Sequence, residues 1–106
     1  MKTISIIGGG IAGLTVANIF QKENIDFILY ERSPLHSRKG HGFIIPFEGF
    51  ETLKDFIDES TLLKRGNILT EYISCNNNGE VMDKSPMQND IIISRKALVD
   101  LLVDNL

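Results

Sequence analysis

An α/β fold built on a parallel βαβ unit is predicted by three features of residues 1–32. An apolar run (Ile4, Ile6, Ile7) enters the turn Gly8-Gly9-Gly10-Ile11-Ala12-Gly13, and a helical pattern leaves it. A second apolar run (Phe27, Ile28, Leu29, Tyr30) then closes on an acid, Glu31. The order is strand, glycine turn, helix, strand, carboxylate.

Read as G-x-G-x-x-G, the glycines are Gly8, Gly10 and Gly13. A side chain at any of them would obstruct something: the tight exit from the strand, the approach of a phosphate to the backbone, or the packing of the helix on the sheet. The first-turn N–H groups of the helix lack intrahelical partners and the macrodipole adds positive potential, so an anion is stabilised there without Lys or Arg. Glu31 follows Gly13 by 18 positions, where a second parallel strand would bring its carboxylate to a ribose 2′-OH and 3′-OH. An acid in that place disfavours a 2′-phosphate. Glycine-rich turns also merely reverse chains, but the register of both strands, helix and acid favours dinucleotide binding and a Rossmann-like fold.

The remaining elements follow in order. Ile11 to about Lys22 is apolar nearly all round (Leu14, Val16, Ala17, Ile19, Phe20), which predicts a helix buried on more than one side, with Asn24 as its C-terminal cap. The polar stretch from Arg32 to Gly42, with Arg38 and Lys39, reads as a loop over the strand ends. Phe43-Ile44-Ile45 is a short strand, and Phe50, Leu53 and Ile57 recur at helical spacing, predicting a helix from Glu48 or Gly49 to Asp58. Ser60 is expected to cap a single turn holding Leu62 and Leu63.

Ile68 to Cys75 and Glu80 to Met82 flank Asn76-Asn77-Asn78-Gly79, a β-hairpin signal. Ser85-Pro86 is expected to break the pattern before a further strand, Ile91-Ile92-Ile93. Ser94 caps a last helix from Arg95, with Leu98, Leu101 and Leu102 on one face and Asp100 and Asp104 pointing elsewhere.

Composition narrows the function classes. The 106 residues allow one domain with a modest core. A net charge of -3 without a basic stripe argues against nucleic acid. The single cysteine, Cys75, forms no internal disulfide and has no His or Asp at activating spacing, which fits a reducing cytoplasm. No metal-ligand cluster is evident, and no apolar segment is long enough for a membrane span or signal peptide.

The segments Ile6-Ile7-Gly8-Gly9-Gly10-Ile11-Ala12-Gly13-Leu14, Glu31-Arg32, Gly40-x-Gly42-Phe43 and Ser94-Arg95-x-x-Leu98-x-x-x-Leu102 together resemble the N-terminal portion of single-component FAD-dependent monooxygenases. These are aromatic hydroxylases of the para-hydroxybenzoate hydroxylase-like family. The resemblance implies that Gly8, Gly10 and Gly13, with Ile11 and Ala12 between them, accommodate the FAD pyrophosphate and that Glu31 holds the adenosine ribose. It further implies Arg32 near the adenine, Arg95 at the pyrophosphate or ribityl side, and Arg38 assisting from the loop. In an intact relative, NAD(P)H and O2 would support hydroxylation of a small aromatic or polycyclic substrate.

The family's later Asp-Gly and Gly-Asp segments and its isoalloxazine pocket have no counterpart in these residues, so residues 1–106 read as the N-terminal part of an FAD-binding domain, incomplete, with no catalytic residue assigned. Such a fragment is expected to be inactive alone and to self-associate through its last helix and an open sheet edge. Two other readings stand beside it: an NAD-binding Rossmann unit of a dehydrogenase, and a non-catalytic remnant acting in oligomerisation.

Overall fold

The computed structural model describes residues 2–33 and 41–106. Strand β1 (Ile4–Ile7) pairs in parallel with β2 (Phe27–Tyr30), Ile4 opposite Phe27 and Ile7 opposite Tyr30, and helix α1 (Ile11–Lys22) makes the crossover. The end of α1 follows from Asn24, which takes the left-handed conformation at φ 57°. Its N–H donates to the Gln21 carbonyl at 3.2 Å and that of Ile25 to Phe20 at 2.8 Å, the double closure of a Schellman motif.

Side chains alternate across this sheet. Ile6, Phe27 and Leu29 are half-buried on the side that carries α1, whereas Ile7, Ile28 and Tyr30 are exposed on the other. Helix α1 is buried on two sides, as expected, though not all round: Leu14, Ala17 and Asn18 are its buried residues, and Val16 and Ile19 are exposed. The sheet and the last helix flank α1, and no further layer lies over it among the described residues.

The second sheet is antiparallel, in the order β3 (Gly42–Ile45), β5 (Val81–Ser94), β4 (Gly66–Cys75). The hairpin turn forms as its asparagines predict. Gly79 takes φ 81°, and the Asn76 side-chain oxygen accepts from the N–H groups of Asn78 and Glu80 at 2.9 and 3.0 Å. The expected break at Ser85-Pro86 does not occur, and β5 runs through it. β3 accompanies β5 only along Ile91–Ser94, so the missing N–H of Pro86 falls in a two-stranded ribbon, and a register shift between Leu69 and Glu71, with Asn89 at φ 58°, absorbs the irregularity.

Helix α2 (Phe47–Leu53) is shorter than its spacing predicts. The N–H groups of Phe56 and Ile57 both fold back on the Leu53 carbonyl, a turn that still delivers Ile57 to the core beside Phe50 and Leu53. Helix α3 (Glu59–Arg65) begins after Asp58, not at Ser60, whose hydroxyl donates to the Asp58 carboxylate from inside the first turn.

Helix α4 (Arg95–Asp104) opens as predicted: the Ser94 hydroxyl accepts from the Ala97 N–H at 3.1 Å. One expectation about it is corrected. Leu98, Leu101 and Leu102 are buried within the chain's own core, with Leu14, Phe50, Leu62 and Ile91, so this leucine face has no need of outside cover. Asp100 points away from that face, as expected, yet it is buried, and Lys96 Nζ at 2.7 Å and Arg65 Nη2 at 3.7 Å neutralise it.

Candidate functional site

The glycine turn between β1 and α1 has little tolerance for side chains. Gly8 sits at φ 103°, a region that L side chains rarely adopt, and its N–H donates to the Tyr30 carbonyl at 2.8 Å, fastening the turn to the end of β2. A Cβ on Gly13 would run into the carbonyl oxygen of Gly8, so the first turn of α1 lies directly against the strand exit. Gly10 is the N-cap of α1, in extended conformation and with no side-chain cap, and the first turn carries no acid. The Leu14 N–H makes the first intrahelical bond, to the Gly10 carbonyl at 2.9 Å. The N–H groups of Ile11, Ala12 and Gly13 precede that first bond, where a helix leaves its donors to outside acceptors.

Glu31 follows β2 directly and packs over this turn. A Cβ on Gly9 would lie 3.0 Å from Glu31 Cβ and 3.3 Å from Leu29 Cδ2, so Gly9, outside the glycine triplet of the motif, makes room for the acid. Sequence reasoning assigned nothing to Gly9; the signal was an unbroken glycine run where the motif needs only alternate positions. Glu31 Oε1 accepts from the Arg32 N–H at 3.2 Å. Ile7, Gly8, Tyr30, Glu31 and Arg32 line a cleft of about 540 Å³ at the carboxyl ends of the two parallel strands.

Arg95 reaches the same place from the far end of the sequence. Its Nη2 stands 3.9 Å from the point a Cβ on Gly10 would occupy, and its N–H donates to the His41 carbonyl at 3.1 Å. The candidate residues Gly8, Gly10, Ile11, Ala12, Gly13, Glu31, Arg32 and Arg95 are thus gathered around one turn. Arg38 lies outside the described residues.

These groups suit a diphosphate joined to a nucleoside. Uncapped helical N–H donors, a guanidinium beside them and a backbone free of Cβ atoms offer hydrogen bonds to phosphate oxygens. The carboxylate at the cleft offers acceptors to hydroxyl groups and none to a phosphate.

Comparison with known proteins finds relatives in sequence and in fold. A probable FAD-dependent monooxygenase of Arthroderma benhamiae is 30% identical over 119 aligned residues, covering 97% of this chain and 27% of the relative. The chain therefore spans about a quarter of the length of that protein. No family model matches.

Among solved structures, p-nitrophenol 4-monooxygenase from Pseudomonas putida superposes with a TM-score of 0.85 at 18% identity, over 99% of this chain and 30% of that one. The tetrameric form of 2-methyl-3-hydroxypyridine-5-carboxylic acid oxygenase gives 0.84 at 23% identity, over 99% and 29%. These likenesses establish the fold, a mixed α/β architecture. Along nearly its whole length the chain is similar in sequence to a probable FAD-dependent monooxygenase, and in fold to two oxygenases of known structure.

Proposed function

We propose that the chain is the FAD-binding N-terminal region of a flavoprotein monooxygenase, with a Rossmann-like βαβ unit as its cofactor platform. The observation that carries this reading is the meeting of Arg95 with Gly10. A bare glycine turn serves many dinucleotides, but a guanidinium brought to it from the start of α4 adds a forked donor to the phosphate side of the site.

In this reading the turn residues Gly8, Gly10, Ile11, Ala12 and Gly13 hold the pyrophosphate, Glu31 the adenosine ribose, and Arg32 lies by the adenine. Arg95, with Arg38 from the loop, adds positive charge. The flavin, when bound, supplies the redox chemistry; these residues supply placement. The intact protein would use NAD(P)H and O2 to hydroxylate a small aromatic or polycyclic substrate in the cytoplasm. Residues 1–106 form the N-terminal part of that protein's FAD-binding domain.

Titration of the 106-residue chain with FAD and, separately, with NAD tests the reading by calorimetry. Preference for FAD is expected, with no consumption of NADPH above that of free FAD in solution. Tighter binding of NAD would replace the reading with that of a dehydrogenase unit, and FAD-dependent NADPH turnover would show a complete active centre.

A further inference from the structure

We propose that Asn18 is a positioning residue that sets where Arg95 stands over the glycine turn; the proposal rests on the diphosphate reading of that turn. Helices α1 and α4 run side by side in the same direction. Asn18 Nδ2 donates to the Leu102 carbonyl at 3.0 Å and Gln21 Nε2 to the Asn105 carbonyl at 2.8 Å, both across 84 residues of sequence. The same offset relates Ile11, the first residue of α1, to Arg95, the first of α4. The pair is in register from end to end, and both N-termini open at the candidate site.

Apolar packing does not by itself hold that register. Leu14, Ala17, Leu98 and Leu102 are buried, but contacts of this kind are non-directional and tolerate an axial slip of one helix along the other. Asn18 is 1% exposed and is bound at both ends of its amide. Its Nδ2 also donates to the Leu14 carbonyl at 2.8 Å, and its Oδ1 accepts from Asn105 Nδ2 at 2.7 Å.

Leu102 belongs to the last turn of α4, where carbonyls lack intrahelical donors, and the Leu106 N–H that would serve it donates instead to Val103 at 3.1 Å. Asn18 therefore caps α4 from α1. A slip would strand a buried amide and a buried carbonyl together. Because α4 is continuous from Leu102 back to Arg95, fixing one end fixes the backbone that carries the guanidinium at the other.

The test is a double-mutant cycle on FAD affinity in the 106-residue chain, with Asn18→Leu, Arg95→Ala and both together, folding being followed by circular dichroism. Asn18→Leu alone is expected to weaken FAD on the order of tenfold, within the coupling seen for residues of one network. On the Arg95→Ala background it is expected to weaken FAD no further. A merely structural role would lose the same factor on both backgrounds, and that result overturns the proposal, as does an unchanged affinity of Asn18→Leu.

Should Asn18→Leu fail to fold, Asn105→Ala replaces it: an exposed side chain is removed, one bond to Asn18 is lost, and the same directions apply. FAD affinity indifferent to Arg95→Ala would sink the cofactor reading and this proposal with it. Affinity that falls with Arg95→Ala but additively with Asn18→Leu would sink only the positioning role.

Discussion

Arg95 Nη2 and Gly10 approach so closely that an added Cβ on the glycine would sit 3.9 Å from the guanidinium nitrogen. That distance is ordinary contact, so the pair leaves the face of the turn open while keeping a positive charge at its rim. Removing the charge is expected to weaken FAD by the value of a charge-assisted hydrogen bond, about 1.5–3 kcal/mol or roughly ten- to a hundredfold. Arg95→Lys should recover part of the loss, since an ammonium keeps the charge without the planar fork. Calorimetric titration of the three proteins with FAD measures both steps.

The glycines of the turn should separate folding from binding. Gly13→Ala places a methyl against the Gly8 carbonyl, backbone against which nothing can easily shift, and is expected to cost about 1–3 kcal/mol of stability or more. Gly10→Ala meets no atom closer than Arg95, so its melting temperature should match that of the unmodified chain while FAD affinity falls. Thermal melts and titrations on the same two samples check this. Equal melting temperatures for both variants would mean that α1 does not lie against the strand exit.

Glu31→Ala is expected to weaken FAD by about 1.5–3 kcal/mol through lost hydrogen bonds to ribose. The loss should appear with FAD and with any ligand that keeps the adenosine ribose, and be small with inorganic pyrophosphate. Competition of pyrophosphate against FAD in the two proteins reads the difference. A matching loss for pyrophosphate would place Glu31 in the architecture of the turn, through its packing on Gly9 and Leu29, and not at the ribose.

The parts of this site that were legible in the sequence are those whose cause is local. The strand, turn and helix of residues 4–22 announce themselves through apolar spacing and glycine, and the caps at Asn24 and Ser94 through residues whose short side chains suit those positions. The burial of Asp100 and Asn18 was not legible, because a polar residue in a helical pattern reads as a solvent face unless its partner is known. Leu102, the partner of Asn18, is 84 positions away, and Arg65, which joins the neighbouring Lys96 at Asp100, is 35 positions away. Pro86 misled for a related reason: whether a proline breaks a strand depends on which neighbour needs its N–H, and β3 stops short of it. Most consequential was Leu98-Leu101-Leu102, expected to lack cover, since the hydrophobic pattern states that a face is buried but not by what.

With the leucine face of α4 closed, self-association has a different place to act. The side of the β1–β2 sheet away from α1 carries Ile7, Ile28 and Tyr30, at 80%, 48% and 52% exposure. Parallel sheets are ordinarily covered on both faces, and among the described residues no further strand pairs with the outer edges of β1 and β2. Fully covering a side chain of this size is worth about 1.5–3 kcal/mol, so two copies meeting face to face gain from each residue they hide. The 106-residue chain is therefore expected to self-associate at micromolar concentration through this sheet, and sedimentation measures it. Ile28→Lys should restore the monomer because a charge at the middle of the face has to be desolvated in any pairing, whereas Leu106→Lys at the end of α4 should change nothing. A monomer in both the unmodified chain and Ile28→Lys would show that the exposed face is tolerated as it stands, and association abolished by Leu106→Lys would return the contact to the last helix.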